Sequence, residues 1–363
     1  MRSYEEHENA TRDVLEAVGG MFDRYAIFPN REARDATVLW TAHSWVFKKF
    51  VATPRLHIYS SEPGSGKTRV MDLVCGMVRK SQDAVNARPS MIYEAIDMNE
   101  SVTFSIDEVD NLFGRKGSNN AYKQLLAVLN KGFTHKGSTL AGSPGSYREM
   151  SLFTPVVMAG MGRLPDALHT RSIRIPMRKA GSAGNLEQFR ARKVDFEYEQ
   201  VKTKLEKWAR TTGPALELLF PEIPFDDRDG DKWEPLFAIA EMAGGDWLKR
   251  VSRAARLLER DDAGDDIPMS TRIIRDIENF LEEQQLDEEG SVHTSDLIMH
   301  LVDMGWDERF VRPRGIAKIL DVYGIESKNV RAYSYPLNGE RSDKKKVSKG
   351  YEVQDLRVAC NQA

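Results

Sequence analysis

Apolar residues recur at helical spacing between residues 34 and 50, at Val38, Leu39, Ala42, Trp45, Val46 and Phe50, which predicts a core-facing helix. After Pro54 the segment RLHIYSS has the composition of a short strand. It runs through a glycine turn into KTRVMDLVCGMVRK, whose Val70, Leu73, Val74, Met77 and Val78 share one helical face. Further helices are expected over Ser90 to Met98 and Ala121 to Lys131. Between them SVTFSIDEVD, with Val102, Phe104 and Ile106, reads as a strand running into acid. KGSTLAGSPGSYREMSLF reads as a hairpin about its GSPGS turn, and TPVVMAGMG and RSIRIPMR as two more strands, the last closing a module near Lys179. Strands alternating with helices imply an α/β module with a mostly parallel sheet.

The breaker-rich stretch GSAGNLE follows, then a helical region, an acidic run and a small final domain of about three short helices and two strands. The resulting segments are 1–33, helical; 34–180, the α/β core; 181–260, helical; 261–268, a linker; and 269–363, the terminal domain. Composition narrows the possibilities. With 41% hydrophobic and 29% charged residues the chain is long enough for two or three domains with their own cores. A net charge of -3 gives no global attraction to polyanions, so binding to nucleic acid would need a local patch. Cys75 and Cys360 are too few and too far apart for a disulfide framework or a zinc site, and the seven histidines show no ligand spacing. The acidic N-terminus and the lack of an apolar run long enough to span a bilayer lead us to expect a cytoplasmic protein without membrane contact.

YSSEPGSGKTRVM carries the densest chemistry. It matches the phosphate-loop pattern G-x-x-x-x-G-K-[ST] through Gly66, Lys67 and Thr68, with Ser61 in place of the first glycine, at the loop's entrance. The whole segment Ser61, Glu62, Pro63, Gly64, Ser65, Gly66, Lys67, Thr68 and Arg69 is the expected nucleotide-binding stretch. Its glycines allow close backbone approach, Lys67 reaches the outer phosphates and Thr68 ligates Mg²⁺. A dinucleotide fingerprint is disfavoured because position 69 is arginine. In FSIDEVD, Asp107 fits the magnesium shell and Glu108 the base for an attacking water, a pairing that favours hydrolysis over transfer to a small acceptor.

The ordered series TPRLHIYSSEPGSGKTRVMDLV, VTFSIDEVDNLFG, LNKGFTHKG, VVMAGMGRLPDALHTRSIRIPMRK and DKWEPLFAIAEMAGGDWLKR resembles an AAA+ type ATPase family of bacteriophages, plasmids and actinobacterial genomes. That family accompanies primase or helicase modules, and its C-terminal half is catalogued only as a domain of unknown function. The resemblance covers about Thr37 to Tyr351. It implies an AAA+ P-loop core, an α-helical lid, ATP and Mg²⁺ as cofactors, a homo-oligomeric, hexameric ring, and replication proteins such as primase as partners. It also implies an arginine reaching a neighbour's γ-phosphate, which points to Arg171 in LPDALHTRSI, with Arg174 as the competing choice. By similarity to MCM helicases, Arg228 would be a second sensing arginine. The polar sensor expected at the end of VVMAG is replaced by Ala159 and Gly160.

MCM and superfamily III helicases carry a DNA-tracking hairpin where this chain has KGSTLAGSPGSYREMSLF, which makes Lys136, Tyr147 and Arg148 candidate DNA contacts; an ordinary surface hairpin fits the segment equally well. From Arg312 to Lys349 ten Lys or Arg stand against four Asp or Glu. GIAKILDVY, NVRAYSYPL, the basic loop ERSDKKKVSK and the strand GYEVQ read as a winged helix in which Lys344, Lys345, Lys346 and Lys349 would meet phosphate. The expected function is a DNA-directed ATPase, helicase or translocase. A helicase loader or DNA-binding ATP switch, and a protein-remodelling ATPase, are the alternatives.

Overall fold

A computed structural model of the chain describes residues 3–60, 64–84, 89–98, 101–113, 120–143, 145–179, 186–262, 269–287, 289–304, 306, 311–335, 342 and 344–362. Two compact units divide it, 1–258 and 259–363.

In the first unit five strands form one parallel sheet: β1 (Arg55–Tyr59), β2 (Ser81–Asp83), β3 (Thr103–Ile106), β6 (Val156–Gly160) and β7 (Ser172–Pro176), in the order β2-β3-β6-β1-β7. β1, β3 and β6 are buried along almost their whole length; β6 is apolar throughout, while β1 and β3 alternate apolar residues with buried polar ones, Arg55 and His57 in β1 and Thr103 and Ser105 in β3. β2, Ser-Gln-Asp, has no apolar residue and closes one edge; its pairing with β3 is not foreshadowed by any hydrophobic signal. The remaining strands, β4 (Ser138–Ser143) and β5 (Ser146–Ser151), form the expected antiparallel hairpin.

Helices α1 (Tyr4–Tyr25), α2 (Arg31–Val46), α3 (Lys67–Met77), α8 (Ala191–Leu216), α9 (Asp227–Ala243) and α10 (Trp247–Asp262) share one apolar cluster with β1, β6 and β7. α4 (Pro89–Met98) and α6 (Asn120–Lys131) pack with β3 and β6 in a second cluster, joined by two short helices, α5 (Val109–Phe113) and α7 (Asp166–His169). The segment before residue 34 and helices α8 to α10 are therefore built into the same core as the sheet. A buried charge cluster reinforces this. Asp35, on α2, is 1% exposed and accepts hydrogen bonds from Arg34 at 3.0 Å and from Arg250 of α10 at 2.6 and 2.8 Å. A buried carboxylate is stable only when so compensated, and its partners fix α10 against α2.

The second unit runs α11 (Met269–Glu283), β8 (Ser291–His293), α12 (Thr294–Asp303), α13 (Pro313–Asp321), β9 (Lys328–Ala332), β10 (Lys346–Glu352) and α14 (Val353–Gln362). Its strands pair antiparallel in the order β8-β10-β9 around a separate apolar cluster. The sequence reading expected two strands and about three helices; the described residues hold three and four. β8 is a three-residue strand, too short for a periodic signal. Asp296, 4% exposed, ties this unit together by accepting from the Tyr335 backbone N–H at 2.9 Å and the Ser334 hydroxyl at 3.3 Å.

Two histidines of the first unit are buried and uncharged. Burial pushes His43 down to about 3; burial, Arg174 and His169 push His57 to about the same value. Both folded values lie below the unfolded one near 6.5, so each histidine's contribution is complete above that pH and is lost as the pH falls toward 3. At pH 5 the loss is about 2 kcal/mol per histidine. The thermal midpoint is expected to fall between pH 7 and pH 5, and His57→Gln to flatten that fall; an unchanged acid limb in the variant would contradict the assignment.

Candidate functional site at the carboxyl edge of the sheet

β1 pairs in parallel register with β6 (Leu56 with Val157 through Tyr59 with Gly160) and with β7, while β6 pairs with β3. All these strands end at one edge, where ligands of open α/β sheets bind. The segment after β1 and the acids after β3 are thereby brought to the same edge, two strand spacings or roughly 10 Å apart.

Ser61, Glu62 and Pro63 lie outside the described residues. Gly64 and Gly66 have φ of +74° and +86°, and Gly66 caps the N-terminus of α3. Only glycine adopts this conformation freely, so the sequence's glycines are required by the turn itself. The turn aims the α3 N-terminus, with its positive dipole end, at the space beyond β1. Lys67 Nζ lies 3.3 Å from Ser65 Oγ, folded back over the loop. Thr68 follows on the first turn of α3. Arg69 is drawn sideways, its guanidinium 3.7 Å above the Phe189 ring.

Asp107 is half-buried and Glu108 exposed. Asp107 Oδ1 accepts the Glu108 backbone N–H at 2.8 Å, and Glu108 has φ of +53°. A non-glycine residue in this region costs of order 1–3 kcal/mol and persists where its surroundings over-determine it. Asp72, one turn beyond Thr68 on α3, is a further acid near this edge that the sequence reading did not single out. Its carboxyl pKa is raised by partial burial, opposed by Arg69 and raised again by Asp107. Among the described residues no three His, Cys, Asp or Glu side chains form a metal cluster. Thr68 and Asp107 nonetheless suit Mg²⁺, which uses one or two protein oxygens together with the phosphates it accompanies.

The other candidates lie elsewhere. Arg171 precedes β7, and its carbonyl accepts the Arg55 backbone N–H at 2.9 Å, at the amino edge of the sheet. Its guanidinium donates to the Ala167 carbonyl. Arg228, at the start of α9, is at this amino edge as well, donating to Thr170 Oγ1 at 3.2 Å; burial and then the Arg228 charge lower the Arg171 pKa. Arg228 is thus beside Arg171, and β1 separates both from the loop at Lys67 by roughly 13 Å. A role for Arg228 over its own chain's loop does not fit this placement. Arg174 is buried within β7 and donates to the Leu258 carbonyl at 3.2 Å, which leaves Arg171 the better exposed of the two alternatives.

On the hairpin, Arg148 forms a 2.7 Å ion pair with Asp97 of α4, so its face of β5 turns toward α4. Tyr147, 62% exposed, lies on the opposite face, which it shares with Leu140, 73% exposed. Lys136, just before β4, is exposed. In the second unit Lys344 and Lys345 precede β10, while Lys346 and Lys349 are on that strand, not in a loop as expected; all four are exposed, and Lys345 Nζ lies 5.2 Å from the Tyr333 ring centroid. Arg314 and Lys318, spaced i and i+4 on α13, add exposed cations that the sequence reading did not assign.

Fold and site define an α/β protein that presents a glycine–lysine turn and an acidic pair at one edge of a parallel sheet. The chain belongs to the family described as "Protein of unknown function (DUF3631)", whose model matches residues 176–361. It is also 28% identical over 162 residues to "Uncharacterized 28.9 kDa protein in xis 5'region" of Saccharopolyspora erythraea, an alignment covering 43% of this chain and 60% of that protein. The chain therefore spans less than two thirds of that relative's length. No helix among the described residues is long and apolar enough to cross a membrane.

An added Cβ at Gly64 would meet open space and at Gly66 only Met177 Cε at 3.7 Å, so any cost of alanine there is a backbone cost. Gly66→Ala and Gly64→Ala are each expected to lose about 1–2 kcal/mol in chemical denaturation; undiminished stability in both would contradict the left-handed turn.

Proposed function

We propose that the chain is an ATP-hydrolysing motor of the AAA+ type, with a P-loop core, an α-helical lid and a winged-helix-like C-terminal domain, acting on DNA as a helicase or translocase of a mobile element. The observation that carries the proposal is the arrival of the Gly64–Thr68 turn and the Asp107–Glu108 pair at one sheet edge, on strands separated only by β6. In this reading the α3 N-terminus and Lys67 hold the phosphates, Thr68 and Asp107 would hold Mg²⁺, and Glu108 orients and deprotonates the attacking water. Bound Mg²⁺ would neutralise charge developing on the phosphates. Arg171 and Arg228, at the far edge, serve the nucleotide of a neighbouring copy, which requires a homo-oligomer, with six subunits expected from the resemblance.

DNA as the substrate is supported by the second unit. Among the described residues its order of helix, strand, helices, strand and strand, with β10 between β8 and β9, is compatible with the proposed winged helix, and exposed cations occur on both α13 and the β10 strand. The relative's name places it 5' of xis, which agrees with a mobile-element setting. A second reading, protein remodelling, is favoured by the hairpin. Arg148 is consumed by Asp97, and the outward face offers Leu140 and Tyr147, a grip better suited to a peptide or to stacked bases than to phosphate.

Lys67→Ala is expected to abolish ATP binding or turnover, while Glu108→Gln retains binding and loses turnover at least a hundredfold. Wild-type phosphate release in either variant would defeat the assignment. Replacing Lys344, Lys345 and Lys349 with alanine is expected to weaken DNA binding without regard to sequence and to lower the salt slope by about one per phosphate contact removed. An unchanged slope in a filter-binding titration would exclude these lysines from the interface.

A further inference from the structure

The end of β6 has no polar side chain, since Ala159 and Gly160 stand there, yet it is connected to the acid turn through the backbone. Asp110, in the first turn of α5, accepts the Met161 backbone N–H on Oδ1 at 2.8 Å. Beside it Val109 is 1% exposed and packed into the core cluster of β3 and β6. Gly160 makes this approach possible, because a Cβ there would stand 2.6 Å from Val109 Cγ2 and 2.7 Å from Asp110 Oδ1. Glu108 is thereby held from both sides. Asp107 Oδ1 takes its N–H on one side, and the Val109–Asp110 anchor fixes the chain on the other.

We propose that Asp110 is a positioning residue for the attack on ATP, holding Glu108 in its left-handed conformation by tying α5 to the loop after β6. Resting on the nucleotide reading above, the inference assigns to a carboxylate and a backbone N–H the connection for which β6 supplies no side chain. Asp110 Oδ1 is engaged by the Met161 N–H, so its assigned role is exerted through Glu108. Its removal leaves the Lys67 loop intact and loosens only the direction in which Glu108 points. Asparagine keeps a carbonyl acceptor for the Met161 N–H and preserves the tie.

The test is steady-state ATP hydrolysis by the full chain, with nucleotide affinity and thermal midpoint measured alongside. In Asp110→Ala turnover is expected to fall about tenfold or more while KM stays within threefold of wild type, and Asp110→Asn to recover most of the rate. Unchanged turnover in Asp110→Ala, beside a wild type that hydrolyses ATP, overturns the positioning role and leaves the nucleotide reading standing. Parallel loss of affinity, midpoint and turnover in both variants overturns it in favour of a purely structural role. A wild type that neither binds nor hydrolyses ATP overturns the nucleotide reading and this inference with it.

Discussion

Parallel pairing of β1 with β6 on one side and β7 on the other decides what can meet at either edge of the sheet. Because β1, β3, β6 and β7 run the same way, the glycine turn and the acid pair have no choice but to emerge together. The same pairing sends Arg171 and Arg228 to the opposite edge, beyond the reach of a guanidinium from the Lys67 loop of its own chain. Turning one strand over would exchange these neighbours. The packing of α2, α8, α9 and α10 into the sheet's own core makes that arrangement stable rather than incidental.

The amino edge is electrostatically unusual. Arg55 is completely buried and donates to the carbonyls of Leu129, Thr53 and Thr154; burial, with Arg171 adding to it, pushes its pKa down to about 9. Arg171 stands near it, and its own pKa is lowered by burial and then by the charge of Arg228. Arg171 and Arg228, neighbouring like charges that are not buried, favour an anion brought from outside, and under the proposed function that anion is a phosphate held by another copy.

Much of this was legible in the sequence, and the reasons differ by element. The strand β6 announces itself by its unbroken apolar run, β1 and β3 by alternating Leu56 and Ile58, and Phe104 and Ile106, while Gly64, Gly66, Lys67, Asp107 and Glu108 stand out because the proposed phosphate site would need those residue types in that order. β2 and β8 are silent because three-residue edge strands have too few side chains to show a period. The first two residues of α5 were read as the end of a strand, since five residues after an acid pair make little more than one turn. That Arg148 and Tyr147 lie on opposite faces follows from the period of two, but which of them meets Asp97 of α4, remote in sequence, does not. Arg228 shows a related limit: its place at a helix start can be read from its neighbours, but the sheet edge at which that helix docks cannot.

The central claim is that the two edges belong to one nucleotide-hydrolysing cycle completed between copies of the chain. It is tested most directly by phosphate release from ATP and Mg²⁺ per chain, followed across a range of wild-type protein concentrations. Turnover per chain that rises with concentration and then reaches a plateau is the predicted result. Release that is absent at every concentration, in protein shown to be folded, would contradict it.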